Sequence, residues 1–319
     1  MGEKSTRPLD FLDLVLNKFK EEKMKYGIID IGSNTIRLII YLVDEDKNIT
    51  RLDDKKYVAG LASYIKKGFL TKKGADKLVS VLNKLYKLCD TFGVDKVYPF
   101  ATASLRNIKN SDEILKFVED YTGREIDLVS GKEEARLGYL GIRNDFDMKS
   151  GYIFDIGGGS TEITLIENGQ VTSSVSMAIG SLSLYKDYAN GIIPKKSEAV
   201  KMQAKVLAHL KKCKIVRKKN SLAYGIGGTI RACGNVSMEL FDLPTANELD
   251  RDILNDLYQM MMEEKKSALT KTLQVNPARI HTITPGMIIL RELMKYFNLK
   301  TLYISDHGAR EGYLSKILE

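Results

Sequence analysis

Two stretches of this chain carry carboxylates and glycines in the same order. The first runs Asp30-Ile31-Gly32-Ser33-Asn34-Thr35-Ile36-Arg37, the second Asp155-Ile156-Gly157-Gly158-Gly159-Ser160-Thr161-Glu162. In each, an apolar run ends at an aspartate, a turn built on Gly, Ser, Asn and Thr follows, and a second run alternates apolar with polar residues. Such turns leave backbone N–H groups free to converge on an anion, and a carboxylate at a strand end offers hard oxygen ligands to a divalent cation. Asp30, Asp155 and Glu162 are therefore candidate metal ligands. Gly32, Ser33 and Asn34, with Gly157, Gly158, Gly159 and Ser160, are candidate phosphate binders. A third segment, Gly225-Ile226-Gly227-Gly228-Thr229, follows an apolar run and enters a helical pattern. Gly227, Gly228 and Thr229 can thus present the positive end of a helix to an anion. Arg37 and Arg106 have the planar donor fork that suits phosphate oxygens. Glu133 and Glu134 open a helical pattern directly after a strand pattern. Glutamates there ordinarily complement the helix dipole, and one of this pair is also a candidate general base for a water. The three histidines, His209, His281 and His307, compete weakly for that role: His209 lies in a lysine run, and the other two read as fold or rim positions.

The elements that must position these groups follow from periodicity. Residues 26–43 and 152–166 each read as a β-hairpin closed by one of the glycine turns, so the repeat implies two related lobes facing one cleft. Residues 71–93 show Leu78, Leu82, Leu85 and Leu88 on one helical stripe. A short strand is expected in DKVYPFATAS, then a helix in NSDEILKFVEDYTG with Ser111 as N-cap and Gly123 as stop, then a strand at IDLVS. After the second hairpin come a basic helical stretch (195–219), a strand and loop over 221–228, a helix in TIRACGNVSMEL, and a mainly helical region over 245–300 with Pro285-Gly286 at a helix entry. The chain closes with a strand, a turn and a helix. Strands alternating with helices through both halves predict an α/β fold.

Composition sets outer bounds. The chain has 319 residues, 44% of them hydrophobic, which suffices for two domains of ordinary size. No apolar run approaches the ~20 residues that cross a bilayer, and acidic Glu3, Asp10 and Asp13 argue against a signal peptide. Cys89, Cys213 and Cys233 lack paired spacing and fit reduced thiols in a cytoplasmic protein. The net charge of +8 is concentrated: residues 195–219 hold ten basic residues against Glu198 alone. That segment is either a solvated helix face or a track for a polyanion. Duplex nucleic acid is not expected, because no helix-turn-helix, zinc-finger or aromatic stacking pattern accompanies the charge. Leu9, Leu12, Leu16 and Phe19 recur at helical spacing ahead of the first strand and predict an amphipathic helix that docks on its own protein or on a twin subunit, with no membrane role.

Taken together, DIGSNTIRL (30–38), ATASLRN (101–107), SGKEEARLGYLG (130–141), DIGGGSTE (155–162), GIGGTIRA (225–232) and SDHGAREG (305–312) resemble, in order, the blocks of the exopolyphosphatase and guanosine-pentaphosphate phosphohydrolase (Ppx/GppA) family. The resemblance runs from Tyr26 to the C-terminus. It implies an actin-like ATPase fold, shared with sugar kinases and Hsp70, with two lobes of duplicated topology. Lobe I is expected over 26–137 and lobe II over 138–319, the last helix packing back toward lobe I, and the helical extension (1–25) is an addition the resemblance does not explain. It implies a cytoplasmic hydrolase acting with Mg²⁺, or Mn²⁺ in its place, that releases the terminal phosphate of inorganic polyphosphate. The alternatives are the 5′-γ-phosphate of guanosine pentaphosphate as substrate, or a non-catalytic nucleotide-binding regulator. Carried over by position, Glu134 is the base, Asp155 and Glu162 organise metal and water, and Arg106 is a phosphate ligand; spacing alone leaves Glu133 open as the base. A homodimer is implied as well. The C-terminal HD-type domain of larger family members has no counterpart here, which leads one to expect a shorter polyanion track.

Overall fold

The computed structural model describes residues 23–218 and 221–319, so the helix expected before the first strand lies outside the described residues. Strands β1 (Met24–Ile31), β2 (Thr35–Val43) and β3 (Ile49–Val58) form an antiparallel meander. A small ribbon, β4 (Ile65–Lys66) with β5 (Phe69–Leu70), leads into helix α1 (Lys72–Thr91). Then come β6 (Lys96–Ala101), the single turn α2 (Ala103–Arg106), α3 (Ser111–Thr122) and β7 (Asp127–Leu128). The first sheet has the order β3-β2-β1-β6-β7, with β6 parallel to β1 and β7 parallel to β6.

Helix α4 (Gly131–Ile142) carries the chain to a second sheet. Strands β8 (Gly151–Ile156), β9 (Thr161–Glu167) and β10 (Gln170–Met177) repeat the antiparallel meander. Helices α5 (Ser181–Tyr188) and α6 (Lys196–Lys212) follow, then β11 (Ala223–Ile226), α7 (Gly227–Phe241) and β12 (Glu248–Asp250). Helices α8 (Arg251–Met262), α9 (Lys266–Val275) and α10 (Ile283–Tyr296) precede β13 (Thr301–Ile304) and the closing α11 (Ala309–Leu318). The order is β10-β9-β8-β11-β13-β12, and β11 lies parallel to both β8 and β13. A three-stranded meander extended by two parallel strands thus occurs twice, which is the duplicated topology of the actin-like ATPase fold.

Alternation along β1 and β2 sorts their side chains onto two buried faces. Ile29, Ile31, Ile36 and Leu38 pack against Leu78, Leu82, Leu85 and Cys89 of α1, while Leu88 is only half-buried beside them. On the other face Ile28, Ile39 and Tyr41 meet Phe100, Leu137, Tyr313 and Leu314, so α4 and α11 cover the first sheet together. Those two helices cross with no side chain between them. A Cβ on Gly141 would overlap the Gly308 carbonyl, and one on Gly312 would overlap the Leu137 carbonyl. The second sheet has its own core, built around Phe154, Ile163, Met202, Val206, Ile230 and Leu290.

Two local expectations shift. Helix α3 starts at Ser111 and takes Asn110 as its N-cap residue, because the Asn110 side chain clamps Leu70, accepting from its N–H at 3.0 Å and donating to its carbonyl at 3.1 Å. Gly123 closes that helix in the left-handed conformation (φ 67°), as expected. In the basic stretch, the helix covers only 196–212. Beyond it Arg217 lies over the Tyr296 ring at 4.9 Å and Lys218 pairs with Glu167. Cys89, Cys213 and Cys233 are free thiols. Among the described residues no helix is long and apolar enough to cross a membrane.

Candidate active site

The two glycine turns occupy equivalent places in the two sheets. Asp30 faces Arg37 across the β1–β2 ladder, and Asp155 faces Glu162 across β8–β9, each pair one step from the turn. Each turn is held by its own backbone: Gly32 N–H donates to Thr35 O at 3.0 Å and Gly157 N–H to Ser160 O at 2.9 Å. Further anchors fix them from outside. Gly60 and Ala62 donate to Asn34 O and Ser33 O, while Ser181 and Leu182 donate to Gly157 O and Gly158 O. The turns also meet each other, since a Cβ on Gly159 would stand 3.1 Å from Ser33 Oγ and one on Gly158 3.6 Å from the Asn34 side chain.

Between them lies a cavity of about 370 Å³. Of the residues singled out in the sequence, Asp30, Gly32, Ser33, Asn34, Arg37, Glu134, Asp155, Gly157, Gly158, Gly159, Ser160, Glu162, Gly227, Gly228 and Thr229 all line it. Arg106 stands behind the wall. Its Nη1 donates to Glu134 Oε2 at 2.9 Å and to the Val129 carbonyl at 2.8 Å, so in this structure it orients a carboxylate. Arg37 lines the cavity while its Nε donates to Asp54 Oδ1 at 2.7 Å.

The adjacent glutamates divide sharply. Ser130 caps α4, its Oγ accepting from Glu133 N–H, and the next residue turns inward. Glu133 stays outside, with Arg136 at 3.4 Å and Lys316 at 3.1 Å. Glu134 is recessed, and burial raises its pKa above the ordinary 4.5 against the pull of Arg106, with the Asp155 charge adding to the rise. Glu162 is raised too, by burial and then by Glu134 and Asp155, although Ser176 Oγ donates to it at 2.7 Å. Burial likewise raises Asp155 and Asp30, with the Asp30 charge adding to the rise at Asp155 and the Glu311 charge to that at Asp30. Gly227 makes room for the Asp155 carboxylate: a Cβ there would overlap Asp155 Oδ1, and its φ is +85°.

Cations that no single motif assignment had singled out complete the lining. Arg310 Nη1 reaches Asp30 Oδ2 at 3.4 Å, while the Arg310 Nε is buried without a partner. Arg279 Nη1 donates to Thr229 Oγ1 at 3.1 Å, and Arg231 Nη1 donates to the Ser305 carbonyl at 3.0 Å. Lys56 joins them from β3. Arg231 and Arg310 fall inside the GIGGTIRA and SDHGAREG blocks and were legible there; Lys56 and Arg279 stand in segments without any such signal. The lysines of α6 do not line the cavity. The arrangement sets four recessed carboxylates, Asp30, Glu134, Asp155 and Glu162, opposite backbone amides, hydroxyls and guanidinium groups. That combination suits attack by water on a phosphoryl group.

Comparison with known proteins agrees with this geometry. Residues 29–319 match the model of the Ppx/GppA phosphatase family. A bifunctional 3-dehydroquinate synthase/phosphatase of Fusobacterium nucleatum is 29% identical over 96% of this chain and 48% of its own length. Exopolyphosphatase 1 of Mycobacterium bovis is 31% identical over 52% of this chain and 49% of its own. These matches span about half the length of those curated relatives. The crystal structure of the Aquifex aeolicus member of the Ppx/GppA protein family superposes with a TM-score of 0.75 at 26% identity, covering 93% of this chain and 98% of that one.

Proposed function

Because the chain belongs to the Ppx/GppA phosphatase family, we propose that it hydrolyses the terminal phosphate of inorganic polyphosphate, with Glu134 as general base. The observation that carries this reading is the placement of Glu134. Its recessed carboxylate, held by Arg106, lines the same cavity as both glycine turns, while Glu133 is tied up on the surface. A water beside Glu134 attacks the terminal phosphorus in line. The bond from that phosphorus to the bridging oxygen breaks, the leaving oxyanion stays on the shortened chain, and the water's proton passes to Glu134. The Ser33, Asn34, Gly158 and Gly159 amides with the Thr229 hydroxyl hold the phosphoryl oxygens, and Arg37, Arg279 and Arg310 offset their charge.

The reading includes Mg²⁺, with Mn²⁺ as a substitute. Among the described residues no three His, Cys, Asp or Glu side chains form a ready cage. The donor set still fits: Asp30, Asp155 and Glu162 are recessed carboxylates, and Mg²⁺ takes one or two of these while keeping several waters. When bound, the ion neutralises charge on the phosphoryl oxygens.

Phosphate release from long polyphosphate, guanosine pentaphosphate and ATP, with Mg²⁺ and with Glu134→Gln alongside, tests the reading. Release from polyphosphate that drops roughly 10²–10⁴-fold in Glu134→Gln is the expected result. Release chiefly from guanosine pentaphosphate would move the substrate to that nucleotide, and tight nucleotide binding without turnover would make the protein a regulator.

A further inference from the structure

The ladder registers place three charged side chains in a row across the first sheet. Asp30 on β1 pairs with Arg37 on β2, and Arg37 pairs with Lys56 on β3. Directly paired residues point to the same face, and neighbouring strands lie about 4.8 Å apart, so Lys56 stands roughly 10 Å out from Asp30 along one line. All three line the cavity. The inner two have carboxylate or guanidinium partners: Arg310 reaches Asp30, and Asp54 holds Arg37. Lys56 differs. Its side chain is exposed at the rim, and the charges that bear on it most, Arg279, Arg37 and Arg310, are all cations. Partial burial and then those three guanidinium groups lower its pKa. Its strand neighbour Lys55 points to the opposite face and pairs with Asp53 at 3.2 Å.

A cation held among cations at the end of a row that begins at the reacting centre is a site awaiting negative charge. We propose that Lys56 is a specificity-determining residue that binds an internal phosphate of the substrate chain, beyond the terminal group, and so favours long phosphate chains over short ones. The proposal rests on the polyphosphatase reading above. That reading concerns the inner end of the row; this one concerns the outer end.

The test compares kcat/KM on long inorganic polyphosphate and on pyrophosphate for the wild type, Lys56→Met, Lys56→Arg and Lys55→Met. A charge-assisted contact at an exposed rim corresponds to about a tenfold effect. The long-to-short ratio is expected to fall about tenfold in Lys56→Met, through KM more than kcat, to be largely restored in Lys56→Arg, and to hold in Lys55→Met. Equal losses on both substrates, or an unchanged ratio, would overturn the proposal. Calorimetric titration of long polyphosphate into Glu134→Gln, with and without Lys56→Met, separates the two readings. If the wild type releases no phosphate from either chain, the polyphosphatase reading fails, and a tenfold weaker affinity in the double variant still supports Lys56 as a chain contact. Equal affinity, or no binding at all, overturns it.

Discussion

At the scale of single residues, two side chains one position apart face different environments. Glu134 is turned into the cavity against Arg106, and Glu133 into a surface pair with Lys316. Glu133→Gln is expected to leave phosphate release within about twofold of wild type, since an exposed pair contributes about 0–1 kcal/mol; a large loss would move the base to Glu133. Arg106→Met is expected to lower kcat/KM on every substrate by at least about tenfold, because it frees a recessed carboxylate from the donor that fixes it. A loss confined to long substrates would instead make Arg106 a ligand of the chain. The aspartates, the glycines and the Glu133-Glu134 pair were legible because each sits in a local motif of fixed spacing. Spacing could not tell Glu133 from Glu134, since a helix turn of about 100° per residue says nothing of where the first sheet lies. Lys56 and Arg279 were invisible for another reason: they come from segments whose own patterns carry no chemistry and reach the cavity only through tertiary register.

At the scale of elements, strand ends and helix starts do the positioning. Gly227 directly follows β11 and begins α7 with a backbone that a side chain would strain. Gly227→Ala is expected to cost about 1–2 kcal/mol from the left-handed backbone alone, with more from the overlap with Asp155. Thermal melts should register the first, and phosphate release should fall well beyond what that loss of stability explains. The start of α11 is pinned by Glu311, which accepts from Gly308 N–H and from Tyr41 OH on the first sheet, both at 2.7 Å. Burial by itself would raise the Glu311 pKa, but the Arg310 charge and these hydrogen bonds bring it below the ordinary 4.5. A depressed folded value means that the stabilisation is complete above pH 4.5 and is lost as pH falls through the lower folded value. Melting temperatures measured from pH 7 down to pH 3 should show that acid-side loss in the wild type, and Glu311→Gln should blunt it while costing about 1–3 kcal/mol at neutral pH. Hairpins and the longer helices were readable from periodicity; the cap of α3 was not, because Asn110 is recruited by a ribbon forty residues earlier in the chain.

For the whole molecule, the repeat of one motif announced two lobes, and the sheets carry it as a shared strand order. The sequence showed the excess of positive charge but not where it would lie. Exposed lysines of α6 sit outside the cavity, so any action on a polyanion is long-range and open to screening. KM for long polyphosphate is expected to rise with added KCl more steeply than KM for pyrophosphate, and the double change Lys201→Glu and Lys205→Glu should flatten that slope. An unaltered slope would leave α6 a merely solvated face. The crossing of α4 and α11 has a mechanical corollary. Where two backbones touch without side chains between them, they act as the rivet of a pair of tongs, and displacement about a rivet grows with distance from it. Glu134 lies seven residues before Gly141, about 10 Å along the helix, and Arg310 falls between the glycines of the other arm. Any rotation of one arm about that rivet therefore carries Arg310 and Glu134 through short arcs only, so the cation and the carboxylate on the two arms keep their spacing.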